Sequence, residues 1–599
     1  SLNNVATAEV MHTALAYWEA GRNEKAFTLW KSELLSTMYL GGSTGNIGQI
    51  SFYDAARGEA YRDFADPVAM TARSLVEGLF GIQPDALHKQ LIIKPGFPAA
   101  WNNASIKTPD VAIDFIRIGN EDTYTIVPSF PLKMSLKLLL KANGSSIKLL
   151  SVNGKKEVFK NIDDVIEIPV IEINAGLKDK YLIKIVWNGS LTETAGYKQS
   201  YIKKGKLDLN FPGATIAKLF DPQHVLTSVN YSNDKLTAII DADEGYHTAF
   251  VQLKQQDFKW WMPLNILVKD AVEIWSRQKQ SPQFSITNNT SSILKVNEVV
   301  NPGRDAYSTS FLLDPESVFT AGIGAEGMVP GTNVVTFSWD DTMVRKNIID
   351  WKVDGHKLAK SAQVLDISKF FNDKVTNIFK NQYLSPRPKV ATLQLPTQGI
   401  GDWTHPLKTA EINDSGLRKL AGEMNRIVLP QGIPFTTPSD TLASNILFTS
   451  QWDNYPKEAV IPLTGKSSHA YFLMAGSTNP MQSRLVNGAV IISYTDNTAD
   501  TLLLKNPETW WPIEQDYMDD GYAFTIDSPR PVRIHLKTGE ISSVYNNNIE
   551  QYSGKMIEGG AATVLDLPLN PQKMLKELKL QAIANDVIIG LMSVTLLRN

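Results

Sequence analysis

The chain has 599 residues, 43% hydrophobic and 20% charged, with a formal charge of −3; that length outgrows one hydrophobic core, so several domains of ~100–200 residues are expected. A near-neutral charge without a basic patch argues against nucleic acid as the main partner, and no apolar run reaches the ~20 residues of a membrane-spanning helix. Cysteine is absent, which excludes disulfides, thiolate zinc sites and cysteine nucleophiles.

Residues 1–83 read as helix. Val5, Ala8, Met11/His12, Leu15 and Trp18 recur at helical spacing, with Gly21 placed to end the helix and Asn23 to cap the next. Phe27, Trp30, Leu34 and Met38 form a second apolar stripe. Two helices joined by so short a turn make an antiparallel hairpin. Asp66-Pro67 opens a third helix whose stripe is Val68, Ala72, Leu75 and Leu79, closed by Gly81.

From residue 84 to 190 the period changes to two. Strands are expected at Leu91–Lys94, Val111–Phe115, Tyr124–Val127, Leu136–Leu140, Ile147–Val152, Val165–Ile168 and Tyr181–Val186, with hairpin signals at Asn143-Gly144 and Asn153-Gly154. The pattern predicts an antiparallel β-sandwich. Residues 197–270 suit an immunoglobulin-like module, and 271–358 a second β module. Residues 359–425 break the rhythm: a helix is expected near Asp366–Phe379, then an irregular, Pro- and Gly-rich wrapping segment. Residues 426–599 return to strands, including Ala489–Tyr494, Thr501–Leu504, Val532–Leu536 and Val587–Leu597, and predict a C-terminal β-sandwich. The fold class expected is therefore mainly β and multidomain, with an N-terminal helical segment.

Three amphipathic helices leave faces to cover, and their order suits the end of a toroid of helical hairpins. The stretch Thr71-Ala72-Arg73-Ser74-Leu75-Val76-Glu77-Gly78-Leu79-Phe80-Gly81 resembles the closing helix of six-hairpin (α/α)6 glycosidases. Leu91-Ile92-Ile93-Lys94-Pro95-Gly96-Phe97-Pro98-Ala99-Ala100-Trp101 resembles their linker into a β-sandwich. Gln451-Trp452-Asp453-Asn454-Tyr455-Pro456, Met474-Ala475-Gly476-Ser477-Thr478-Asn479 and Trp510-Trp511-Pro512-Ile513-Glu514-Gln515-Asp516-Tyr517 resemble large Bacteroidetes proteins carrying the domain of unknown function 4450 (DUF4450). The resemblance implies the C-terminal portion of a glycoside hydrolase acting on complex poly- or oligosaccharide, its sandwiches bracing a catalytic toroid. It implies a secreted, periplasmic or cell-surface location in a Gram-negative bacterium, within polysaccharide utilisation. The expected partners are carbohydrate and the N-terminal helical part of the same protein; nucleic acid and a membrane span are not expected. A non-catalytic carbohydrate-binding scaffold and a polysaccharide lyase are the alternatives.

The connection from Gly41 to Asp66, about 26 residues long, exceeds ordinary loop length. After four glycines it offers Tyr53, Asp54, Arg57, Glu59, Tyr61, Arg62 and Asp63. Glycoside hydrolysis needs two carboxyl groups, ~5–5.5 Å apart for retention or ~6.5–9.5 Å for inversion. Asp54 and Glu59 are the catalytic candidates, and Tyr53, Arg57, Tyr61 and Arg62 the substrate-binding ones; solvated ion pairs account for the same charges. Asp402, Trp403 and His405, on Gly/Pro-framed backbone, form a second candidate sugar contact, with a buried strap as the other reading. For Trp260-Trp261, one ring is expected in the core and one outward; Trp510-Trp511 with Glu514 and Asp516 suits either packing or a carbohydrate or calcium site. No phosphate-binding loop, His-Glu-x-x-His or Gly-x-Ser-x-Gly is present, so no cofactor and no metal are expected.

Overall fold

A computed structural model describes residues 5–40, 47–48, 65–198, 200–277, 282–303, 307–324, 326–381, 411–452, 454–478, 484–517, 528–543, 557–585 and 587–598. Strand makes up 49% and helix 12%, so the protein is mainly β with one N-terminal helical region. The sheets are antiparallel, apart from short parallel pairings such as Gln90–Ile93 on Ser135–Lys141. None of the described helices is long and apolar enough to cross a membrane. The chain divides into two compact units, Asn4–Ala271 and Val272–Asn599.

In the first unit, helices Thr7–Glu19 and Asn23–Leu34 pair as a hairpin and helix Ala65–Arg73 packs on the first. Gly21, at φ +75°, ends the first helix as expected. Asn23 is not the cap: it begins the second helix, and its amide donates to Phe97 O at 3.3 Å. On the first helix Met11, Leu15 and Trp18 are buried as expected, but on the next two helical stretches the buried faces differ from the apolar stripes. Ala26, Glu33 and Thr37 are buried on the second helical stretch; Pro67, Thr71, Ser74 and Gly78 are buried on the third, while Val68 is exposed.

Trp18 explains this choice. Its indole lies where a Cβ on Gly78 or on Gly96 would come within 2.3 Å of the ring, and its Nε1 donates to Gly96 O at 2.9 Å. A large ring in a narrow interhelical space admits only small residues opposite it. The polar groups so enclosed pair off: Thr7 Oγ1 donates to Glu33 Oε1 at 2.9 Å and Trp30 Nε1 to Ser74 Oγ at 3.0 Å. Lys94 Nζ donates to Glu19 O at 2.8 Å and Lys141 Nζ to Gly21 O, supplying the cations that the last turn of the first helix lacks. Burial lowers both ammonium pKa values.

The sandwich that follows has a five-stranded sheet, from Ile82–Asp85 through Gln90–Ile93, Ser135–Lys141 and Val170–Gly176 to Lys160–Ile162. Its six-stranded partner runs from Asn103–Lys107 to Lys155–Lys156. Leu136, Leu138 and Leu140 alternate inward on one sheet, and Ile183, Ile185 and Trp187 on the other. Two local expectations change. Asn153-Gly154 does turn a two-residue hairpin, with φ of +49° and +77°. Asn143-Gly144 instead carries the chain between the two sheets, with Gly144 pressed against Asn188 O. Val165–Ile168 is no strand: Glu167 sits at φ +72° and the segment makes only a bridge to Trp261. The module after it pairs a four-stranded with a three-stranded sheet; Trp260 is in its core, while Trp261 is half-buried with its ring edge on Phe220.

The second unit opens with a three- and a four-stranded sheet around Phe284, Val296, Phe337 and Ile348. Its C-terminal part is built on strands His469–Thr478 and Val587–Leu597, buried on both faces. Tyr471, Leu473 and Ala475 enter one core; Ala470, Phe472 and Met474 enter another. The strand therefore reads as an unbroken apolar run. Between 359 and 425 the expected helix is replaced by 3-10 turns Ser368–Phe370 and Val375–Asn377, and a short helix forms at Ser415–Ala421.

Gly78→Ala tests the seat of Trp18. Overpacking at this contact is expected to cost about 1–3 kcal/mol, read as a lower unfolding midpoint of the first unit by thermal denaturation. An unchanged midpoint would mean that the ring can move aside.

Candidate functional site

The catalytic and substrate-binding candidates of the two loops lie outside the described residues: Tyr53, Asp54, Arg57, Glu59, Tyr61 and Arg62 in the 41–66 connection, and Asp402, Trp403 and His405 in the 382–410 stretch. The functional geometry on view comes from other residues.

In the first unit a cleft of about 590 Å³ opens beside the turn between the first two helices, bordered by Arg22, Lys25, Phe97, Trp101, Asn143 and Glu167. One wall is a run of aromatic rings. Phe27 meets Trp101 edge-on at 5.0 Å; Trp101 stacks on Phe97 at 6.2 Å, Phe97 on Phe115 at 5.3 Å and Phe115 on Tyr124 at 4.8 Å. Such rings pack face to face and edge to face because of their quadrupoles. The opposing groups are polar. Arg22 pairs with Glu167, and Glu24 Oε1 accepts Ala99 N–H at 2.7 Å. Beneath the wall Arg117 grips the buried Asp122 with two bonds, 2.6 and 2.9 Å, and Trp187 Nε1 donates to the same carboxylate at 2.9 Å. That bidentate pair raises the guanidinium pKa, and burial pushes the Tyr124 phenol up. The cleft thus presents flat apolar rings beside rigidly held donors and acceptors. Two of its residues, Phe97 and Trp101, belong to the stretch that resembles the glycosidase linker.

The Trp510-Trp511-Glu514-Asp516 motif proves interior. Trp510 and Trp511 are 1% and 5% exposed, and Trp510 lies over Gly476 where a Cβ would meet its ring at 2.8 Å. Glu514 is buried, accepts Ser477 Oγ at 3.0 Å, and its Oε2 has no hydrogen-bond partner. Burial pushes its carboxyl up to about 7, against the opposing pull of Ser477 and Arg533. Arg533, itself buried, is held by the carbonyls of Gln515 and Pro512 at 2.6 Å and sits 5.0 Å over the Tyr517 ring. Packing, rather than a sugar platform, occupies both tryptophans.

A third arrangement was not foreseen. His469 and Asp566 are both buried, with Nε2 and Oδ2 at 2.8 Å, and His469 borders a groove of about 430 Å³ in the second unit. No spacing signals the pair, because 97 residues separate them. Among the described residues no group of three or more His, Asp or Glu is disposed to hold a metal ion.

Fold and sites together define a mainly β, multidomain protein with an N-terminal helical region and clefts on its β modules. No family model matches the sequence, and no curated protein matches it. Among solved structures, the chain is similar to the γ-CGTase of alkalophilic Bacillus clarkii, at 7% identity over 42% of this chain and 40% of that one, with a TM-score of 0.14. It is similar to Escherichia coli alpha-2-macroglobulin at 11% identity over 40% of this chain and 33% of that one, TM-score 0.15. The BSP domain of a biofilm associated protein matches at 9% over 42% of this chain and 66% of that domain, TM-score 0.12. The chain thus spans less than half of the first of these proteins. At such TM-scores none of them bears on the activity of this chain.

Glu514 gives a pH prediction. Its folded pKa, about 7, exceeds the ordinary carboxylate value of 4.5, so the folded state binds the proton more tightly. Stability is complete below pH ~4.5 and is lost as pH rises through 7, by on the order of 3 kcal/mol. Glu514→Gln should flatten that fall, measured by denaturant unfolding at pH 5 and pH 8; equal slopes for both proteins would refute the assignment.

Proposed function

We propose that the chain belongs to a glycoside hydrolase of the six-hairpin kind, with its helices part of an (α/α)6 toroid and its β-sandwiches bracing that toroid and binding sugar. The observation that carries this reading is the aromatic cleft at the helical hairpin, walled by Phe97 and Trp101 and faced by fixed polar groups. Sugar rings have apolar C–H faces and hydroxyl rims, so such a lining matches them on both counts. The resemblance of residues 71–81 and 91–101 to a closing helix and its linker supports the same reading, as does the way Trp18 joins those two segments through Gly78 and Gly96. Asp54 or Glu59 is the sequence candidate for one of the two carboxylates, and a secreted, periplasmic or surface location goes with a polysaccharide substrate.

Affinity electrophoresis of the chain against a set of plant, microbial and host polysaccharides tests the binding. At least one is expected to retard it, and Trp101→Ala to weaken that retardation tenfold or more. Asn143→Ala, at an exposed position on the cleft rim, should weaken it without loss of fold. Retardation that survives both changes removes the cleft from the proposal.

Catalysis is tested separately, in a protein that carries the remaining helical hairpins. There Glu59→Gln should lower kcat/KM tenfold or more, about 1.4 kcal/mol per decade, with little change in thermal midpoint. Binding without any turnover in that protein would favour a scaffold that holds carbohydrate.

A further inference from the structure

The groove in the second unit has a floor and a rim of distinct chemistry. At its floor lies His469, backed by Asp566: Asp566 Oδ2 lies 2.8 Å from His469 Nε2 and accepts Thr332 N–H at 2.6 Å, and Oδ1 accepts Thr332 Oγ1 at 3.0 Å. A carboxylate only accepts, so Nε2 carries a proton, and in the neutral ring Nδ1 then holds the lone pair. Gly331 makes the approach possible, since a Cβ there would stand 2.6 Å from Asp566 Oδ2. The Tyr471 ring, 4.6 Å from the imidazole, is itself fixed by its hydroxyl on Pro330 O at 2.7 Å. His469 borders the groove, and among the described residues its ring is hydrogen-bonded through Nε2.

The rim is prearranged. Asn570 N donates to Tyr494 Oη at 2.8 Å and to Asp500 Oδ2 at 3.3 Å, and Gln572 N to Asn570 Oδ1 at 3.0 Å. Arg345 borders the groove and has no ion pair among the described residues. Proline and leucine faces, Pro302, Pro568, Leu569 and Pro571, alternate with these polar groups.

We propose that this groove is a binding site for a neutral sugar, one or two rings long, in which a ring hydroxyl donates to Nδ1 of His469. The ligand must donate at the floor. It must both donate and accept at the rim, where Arg345 and Gln572 give hydrogens and Asp500 takes them. It must also offer an apolar face to the prolines. Arg345 and Asp500 balance in charge, which removes the advantage of a net charge on the ligand. The volume of about 430 Å³ lies within the ~300–1,000 Å³ of small-molecule sites. This site is built from residues of the second unit and does not require the Trp101 cleft.

The test is long-range ¹H–¹⁵N NMR on the full chain labelled at histidine, titrated with neutral hexoses, pentoses and their disaccharides. The expected result is an unprotonated Nδ1 on His469 whose resonance one of these sugars shifts. Arg345→Ala and Gln572→Ala, both at exposed side chains, should each weaken that sugar tenfold or more. His469→Asn should abolish its binding; should that variant misfold, the two rim variants decide alone. Trp101→Ala should leave the His469 response intact, so loss of one site is told from loss of the other. A proton found on Nδ1, no response to any sugar at millimolar concentration, or a response to inorganic phosphate in place of sugar overturns the proposal.

Discussion

The first unit depends on how one indole is seated. Trp18 fills the space between the first and third helices and reaches the strand segment that leaves them, donating its only polar hydrogen to Gly96 O. Because the ring takes that volume, Gly78 and Gly96 have no room for a side chain, and Thr71 and Ser74 face inward where a leucine stripe would otherwise lie. Small and polar residues so enclosed need partners, which explains the Trp30–Ser74 and Thr7–Glu33 bonds. The linker is held against the helices by the same contact, and this brings Phe97 and Trp101 to the side of the helical turn, where the cleft forms.

The second unit follows a different rule. Its central strands bury both faces, so side chains on them enter a core and a polar group there is costly to leave unpaired. Asp566 and His469 lie on adjacent strands, and Thr332 comes from a preceding module with Gly331 clearing the path. The three groups tie distant parts of that unit together, and the histidine borders the groove. Glu514 obeys the rule less completely: Ser477 satisfies one oxygen, the other is unpaired, and the carboxyl responds by favouring its neutral form.

Much of the architecture can be read along the chain, because local pattern suffices to specify it. The helical spacing before Ile82 and the alternation after it mark the change from helix to sheet, and Gly21, Gly81 and Asn153-Gly154 adopt the positive φ that their turns require. Where the sequence misleads, a distant contact has overridden the local signal. Asn143-Gly144 has the composition of a hairpin but links two sheets, since the strands flanking it find other partners. Val165–Ile168 has strand composition, yet it is drawn to Trp261 and bends at Glu167.

The sites divide in the same way. Residue type alone marks out Trp510-Trp511 and Glu514 as notable, but only packing against Gly476 and Ser477 places them inside, where they support a core. His469 and Asp566 carry no signal in order or spacing, because their meeting depends on strand registry across 97 residues. The sequence by itself determined the mainly β class, the N-terminal helices and the positions of strands such as Val111–Phe115 and Val587–Leu597, since these depend on periodicity and turn chemistry within a few residues. Only the tertiary structure decided which helix faces are buried, which glycines are indispensable and where a histidine meets its carboxylate, since each depends on volume and partners supplied from elsewhere in the chain.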